Sequence, residues 1–247
     1  MRIEVLSLFP QLVEQGVRYG MPRRAVECGA LTLVSSDLRD HAQRNDRRLD
    51  ERPYGGGPGM VMQAEPLMQA LEAARVVAPT ARVVGLSPQG APLTQDWVRR
   101  LATEAALIVV CGRYEGLDER LASALDVELS LGDFVLSGGE LAAMVLVDAV
   151  ARLLPGVLGD EASAQNDSFS AAGQLDHPHY TRPEHWRGQA VPEVLLSGDH
   201  AAIRRWRLKQ SLGATWLKRP ELLADVVLDQ EQTGLLREFI AEQQGGN

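Results

Sequence analysis

The 247-residue sequence predicts an α/β protein: a parallel-sheet domain followed by a small, mostly helical one. Three observations carry that expectation. Short runs rich in Val, Ile and Leu recur through the first half, helical periodicity fills the intervals between them, and the composition breaks near residue 159. Strands buried on both faces read as near-continuous apolar runs, and their alternation with helices is the mark of a parallel sheet.

The strand candidates are IEVLSLF (Ile3 to Phe9), LTLVSSDL (Leu31 to Leu38), ARVVGLS (Ala81 to Ser87) and ALIVVCG (Ala106 to Gly112). Helices are expected over Glu65 to Ala78 and over Thr94 to Glu104, where Thr94 is suited to cap the first turn. Leu141 to Leu154 is apolar nearly all round and stops at Pro155-Gly156, which predicts a helix buried in the core or against a second subunit. The segment from Gly159 is small, polar and acidic, as a linker would be. Beyond it, helices are expected over His200 to Ser211, Glu221 to Val227 and Gln230 to Gln243. The expected division is 1–158 for the α/β domain, 159–174 for the linker and 175–247 for the helical domain.

Bulk composition narrows the function classes. Hydrophobic residues make up 45% and charged residues 23%, enough to build a core, and no apolar run has membrane-spanning length. The N-terminal MRIEVLSLFPQLVEQG reads as strand then helix rather than as a secretory leader. Cys28 and Cys111 form no C-x-x-C pattern, which suits a reducing cytoplasm. A formal net charge of −8 argues against coating nucleic acid with the whole surface. It leaves room for a local basic face: His200 to Arg219 holds Arg204, Arg205, Arg207, Lys209, Lys218 and Arg219 with no acid, and interleaves Trp206 and Trp216. Such a run can neutralise phosphates and stack on unpaired bases, or can be an ordinary solvated helix over core tryptophans. His177, His179 and His185 cluster in sequence, but their spacing matches no zinc pattern, so no metal is expected.

Three glycine-rich stretches, RPYGGGPGM (Arg52 to Met60), CGRYEG (Cys111 to Gly116) and LGDFVLSGG (Leu131 to Gly139), lie inside loops or after strand-like runs. A glycine cluster is more often a turn than a ligand site, yet three together raise the case for a shared pocket. Phosphate cradling lacks its usual apparatus, because neither G-x-x-x-x-G-K-[ST] nor G-x-G-x-x-G after the first strand is present. Glu115, Asp133 and Glu140 would repel a phosphate. A nucleoside without phosphate and with positive charge fits better, as in S-adenosylmethionine.

Read in order, YGGGPGM, LSPQG (Leu86 to Gly90), CGRYEGLDER, GDFVLSGGE, DSF, HYTRPE (His179 to Glu184) and RRWRLKQSLG (Arg204 to Gly213) closely resemble the bacterial tRNA (guanine-N1)-methyltransferases. The resemblance implies a SPOUT-like fold with a trefoil knot at the C-terminal end of the α/β domain. It implies a homodimer with active sites shared between subunits, and S-adenosylmethionine as methyl donor. By the same resemblance Leu86, Ser87 and Pro88 lie beside the donor, with Gly112, Tyr114 and Glu115. Leu131, Gly132, Asp133, Phe134, Val135 and Leu136 wrap it, with Gly138 and Gly139. The implied reaction is methylation of N1 of guanosine 37, immediately 3′ of the tRNA anticodon. Asp167 matches the general base and Arg152 the group that stabilises charge on the guanine. Asp50, Gly57 and Gly59 would rim the substrate pocket, and Arg204 and Arg205 would meet tRNA. A related knotted methyltransferase with another target would not need Asp167, and a non-catalytic RNA binder would need neither Asp167 nor Arg152.

Overall fold

In the computed structural model, residues 1–43, 45–159, 167–169, 173–224 and 226–245 are described. Most of the expected linker, including 160–166 and 170–172, therefore lies outside the described residues. The chain divides into two compact units, Met1–Glu161 and Ala162–Asn247.

The first unit contains β1 (Arg2–Ser7), α1 (Pro10–Gly16), α2 (Gly20–Glu27), β2 (Thr32–Asp37), β3 (Asp50–Glu51), β4 (Val61–Met62) and α3 (Ala64–Val77). β5 (Arg82–Pro92), α4 (Gln95–Ala102), β6 (Ala106–Cys111), β7 (Val127–Ser130) and α5 (Glu140–Ala151) complete it. Five strands form one sheet in the order β2-β1-β6-β5-β7, and every pairing is parallel. β3 and β4 form a separate antiparallel pair.

Strand alternation divides two cores. Along β6, Leu107, Val109 and Cys111 face one layer, packed with residues of α1, α2, α4 and α5. Ala106, Ile108 and Val110 face the other, packed with Leu67, Ala70, Leu71 and Ala74 of α3. All six β6 residues are buried, which is why the strand reads as a continuous apolar run. Each fully buried Val, Leu or Ile contributes about 1.5–3 kcal/mol. In α3 the buried positions from Pro66 to Ala74 are spaced one, three, one and three apart, one stripe of a helix. Thr94 caps α4 as expected, its hydroxyl accepting the Trp97 N–H at 3.5 Å.

Several expectations need correction. β2 is an edge strand with Thr32 exposed and the rest half-buried, so it is not covered on both faces. β5 runs on to Pro92, with a register shift between Leu86 and Ala91 that throws Ser87–Gly90 out of the ladder. α5 stops at Ala151, because Leu153 and Leu154 donate to Val150 and Ala151 in a tightened turn before Pro155. Within this chain the core covers only part of α5, and Leu141 and Val145 are 48% and 49% exposed.

The second unit carries β8 (His185–Trp186) paired antiparallel with β9 (Gln189–Ala190), then α6 (His200–Lys218) and α7 (Gln230–Gly245). Asp199 caps α6 by accepting the N–H groups of Ala201 and Ala202. α6 runs seven residues past the expected Ser211, while the expected helix over Glu221 to Val227 shrinks to a 3₁₀ turn at Pro220–Leu223. Leu212, Leu235 and Phe239 are buried in this unit. Among the described residues, no helix is long and apolar enough to cross a membrane.

Candidate active site

The carboxyl ends of β5, β6 and β7 open onto a cavity of about 330 Å³. That is the position at which open parallel sheets hold ligands, and the volume lies in the small-molecule range. One wall is the Ser87–Gln89 excursion of β5, a second is the turn from Gly112 to Gly116, and a third is the loop from Leu131 to Gly139. The third wall is held against the second by backbone contact. Gly139 N–H donates to the Gly112 carbonyl at 2.9 Å, and Gly138 bridges Arg113. A Cβ on Gly139 would stand 2.8 Å from Cys111 Cα, so only glycine permits this approach.

Thirteen of the fourteen residues expected at the donor line the cavity. The exception is Asp133, which is exposed; the turn closed by Phe134 N–H on the Gly132 carbonyl leaves it outside the lining. Glu140 also lies outside the lining, for the opposite reason: it is fully buried. Sequence reasoning missed the acids that do line the wall with Glu115, namely Asp118, Glu119 and Glu128. Asp118 is held down to about pKa 2 by its hydrogen bonds from Arg120. Among the described residues, Arg113 is the sole cation of the lining. Cys111, behind the wall, is pushed well above the usual thiol range by burial and by the Glu140 charge, so it stays a neutral thiol.

A second, more open cavity of about 300 Å³ adjoins Tyr114, which lines both. Arg39, Arg47, Arg48 and Asp50 surround it. Asp50, expected from the sequence at a substrate rim, lines this second cavity. Gly59 touches the Glu115 side chain, and Glu115 N–H donates to the Met60 carbonyl at 2.9 Å, so this glycine loop is stapled beside the first cavity. Gly57 lines neither cavity: it has φ +115 and nothing within 4 Å of a built Cβ, as at the tip of a turn.

Arg152 is half-buried at the C-terminal cap of α5 in the first unit. Asp167 is half-buried in 167–169, the first described stretch of the second unit. Next to it, Ser168 Oγ accepts the Asp176 N–H at 3.0 Å. Asp176 gathers His177 and His179, a grouping that sequence reasoning overlooked by pairing the histidines with His185; their donor atoms lie within 4.8 Å of one another.

The basic run on α6 is not a bare cationic face. Arg204 pairs with Glu231 at 3.3 Å, Arg205 with Glu238 at 2.6 Å, and Lys209 with Glu238 and Glu242 at 3.0 and 2.7 Å. These acids belong to α7, too distant in sequence for a local charge count to register. Arg207 and Lys218 make no ion pair among the described residues. Trp206 is half-buried, its ring centroid 6.2 Å from Tyr180 and 6.3 Å from His177.

Fold and cavity together define a parallel α/β protein with a small-molecule-sized cavity at the carboxyl edge of its sheet. Residues 1–225 match the family described as tRNA (Guanine-1)-methyltransferase TrmD. A tRNA (guanine-N(1)-)-methyltransferase of Halorhodospira halophila is 59% identical over 243 residues, covering 98% of this chain and 92% of the relative. One of Methylococcus capsulatus is 57% identical over 244 residues, covering 98% and 97%. One of Chromobacterium violaceum is 55% identical over 249 residues, with the same coverage. The chain belongs to the tRNA (guanine-N1)-methyltransferase family and is a methyltransferase.

Proposed function

We propose that the protein methylates N1 of guanosine 37 in tRNA with S-adenosylmethionine as donor. The observation that carries this is the glycine-walled cavity at the carboxyl edge, in a chain of this family, with four acids and a single arginine among the described residues of its lining. Its backbone-rich walls suit close contact with an adenosine. Its acidic lining suits a cation and disfavours phosphate. When bound there, S-adenosylmethionine supplies an electrophilic methyl carbon on a sulfonium.

The chain's own residues would then do the following. Leu86, Ser87 and Pro88, Gly112 and Tyr114, and the Leu131–Gly139 loop hold the donor. Neutral guanine keeps a proton on N1, so a base must take it while the charge that develops on O6 is balanced. Asp167 accepts the N1 proton and Arg152 donates to O6. Asp50 and Gly59 border the guanine, and the basic residues of α6 meet tRNA phosphates. The backbone of the donor site forms a trefoil knot, residues 1–158 form the donor domain and 175–247 the tRNA domain. Two copies of the chain share each site in the cytoplasm. The exposed Leu141 and Val145 stripe of α5, with Leu12 of α1 at 38% exposure, supports an interface on that face.

The test is transfer of labelled methyl to tRNA transcripts. Label should enter a transcript with G37 and fail with A37. Asp167→Ala should reduce transfer at least a hundredfold while leaving S-adenosylhomocysteine affinity within twofold. Near-normal transfer by Asp167→Ala, or equal labelling of the A37 transcript, refutes the proposal.

A further inference from the structure

Glu140 has no part in the mechanism above, yet it is a fully buried carboxylate beside the donor cavity. It opens α5, where the helix N-terminus favours negative charge. Its partners come from two other strands' ends. Ser7 Oγ, at the end of β1, donates to Glu140 Oε1 at 2.8 Å. Arg113, just after β6, donates from Nε to both carboxylate oxygens at 3.1 Å, and its Nη2 lies 3.0 Å from Oε2. The Arg113 guanidinium also covers the Phe9 ring at 4.2 Å. A Cβ on Gly138 would stand 2.6 Å from both Arg113 Nε and Glu140 Oε2, so the pair and the glycine loop are fitted to one another.

Arg113 is the one cation lining the cavity among the described residues, and Glu140 holds it in a multiply bonded pair. We infer that Glu140 is a positioning and charge-matching residue: by neutralising and anchoring Arg113, it keeps the cavity wall selective for a positively charged donor over its neutral-sulfur product. This rests on the donor assignment above. S-adenosylmethionine and S-adenosylhomocysteine differ by one methyl group and by the charge on sulfur. An unbalanced guanidinium in the wall would therefore penalise the first and spare the second. A purely architectural role would weaken both alike.

The experiment is calorimetric titration of the full-length protein with each ligand. In Glu140→Gln the affinity for S-adenosylmethionine should fall about tenfold relative to that for S-adenosylhomocysteine, the scale of one partly screened charge interaction. The double variant Glu140→Gln/Arg113→Gln should restore the wild-type ratio. Removing one partner of a buried pair can unfold a protein, so Arg113→Gln provides a second arm. It leaves Glu140 unbalanced and should shift the ratio about tenfold towards S-adenosylmethionine. An unchanged ratio in the folded single variants, or a shift of the same sign in both, overturns the inference. Failure of wild-type protein to bind either ligand would instead overturn the donor assignment.

Discussion

Gly139→Ala isolates the closest approach in the cavity wall. Gly139 has φ −76°, a conformation alanine adopts freely, so the penalty is steric. The new Cβ would meet Cys111 Cα at 2.8 Å, Cys111 Cβ at 3.2 Å and Gly112 N at 3.2 Å. Carbon contacts are comfortable at about 3.5–4.0 Å, so strand β6 and the start of α5 must separate by roughly 0.7 Å. Cys111 is fully buried and its neighbours are backbone, so no flexible side chain can yield. Overpacking of this kind costs about 1–3 kcal/mol. The Gly139 to Gly112 hydrogen bond, stretched in the process, adds about 0.5–1.5 kcal/mol. For a chain of this size each kcal/mol lowers Tm by about 2–4 °C, giving a fall of roughly 5–15 °C. The same movement displaces one cavity wall, so S-adenosylhomocysteine affinity should drop at least about tenfold, or 1.4 kcal/mol. Thermal unfolding and calorimetric titration read the two effects. Gly159→Ala, with nothing within 4 Å, is the control and should change neither. Wild-type Tm and affinity in Gly139→Ala would refute the close-approach account.

Two glycines of the second unit should respond with opposite sign. A Cβ on Gly213 overlaps the buried Phe239 ring, so Gly213→Ala should destabilise by about 1–3 kcal/mol. Gly234 in α7 meets nothing, so Gly234→Ala should stabilise by about 0.5–1 kcal/mol, both read from urea midpoints. Glu238 is held down from 4.5 to about 2, first by its hydrogen bond from Arg205 and then by that from Lys209. Its folded-state pKa is depressed, so its contribution is complete above about pH 4.5 and lost as pH falls towards about 2. Arg205 and Glu238 are solvent-exposed, so water and salt screen their pairing, whereas Lys209 is buried. The urea-midpoint difference between wild type and Glu238→Gln should accordingly be constant from pH 6 to 7 and shrink steadily below about pH 4.5. A difference that grows with acid would contradict the assignment. For tRNA, phosphates must compete with Glu231 and Glu238 for Arg204 and Arg205. Glu238→Gln should tighten binding several-fold at low salt, whereas Arg204→Ala/Arg205→Ala should weaken it and flatten the salt dependence by about two units. Binding indifferent to all these changes and to salt would remove α6 from the interface.

The sheet was legible where both of its faces are covered. β6 reads as an unbroken apolar run because alternate residues enter two different cores, and β1 reads as a strand despite Glu4 and Ser7 because Ile3 and Val5 enter one core and Leu6 the other. β7 escaped notice because it has four residues, only two of them buried. Local sequence likewise shows that glycines punctuate the strand ends, and so marked the cavity walls. It does not show the path of β5 beyond Leu86, where the excursion depends on pairing with β7 rather than on any propensity of Ser87 to Gly90.

The charges show most clearly what one-dimensional reading lacks. Counting acids in the glycine loops suggested a site for a cation, with Asp133 and Glu140 facing it; neither lines the cavity. Glu140 lies 27 residues from Arg113 and 133 from Ser7 in sequence, yet bonds both, and Arg113 is the one arginine of the lining among the described residues. On α6, an apparently pure basic run is answered by acids 27 to 33 residues away. In both places the field at the surface is set by pairs that the fold creates. A charge count along the chain can propose where a ligand's charge is welcome, but the partner of each charge decides it. The Glu140→Gln titration and the Glu238→Gln binding assay test that one principle at two separate sites, and a null result in both would leave the unpaired count as the better guide.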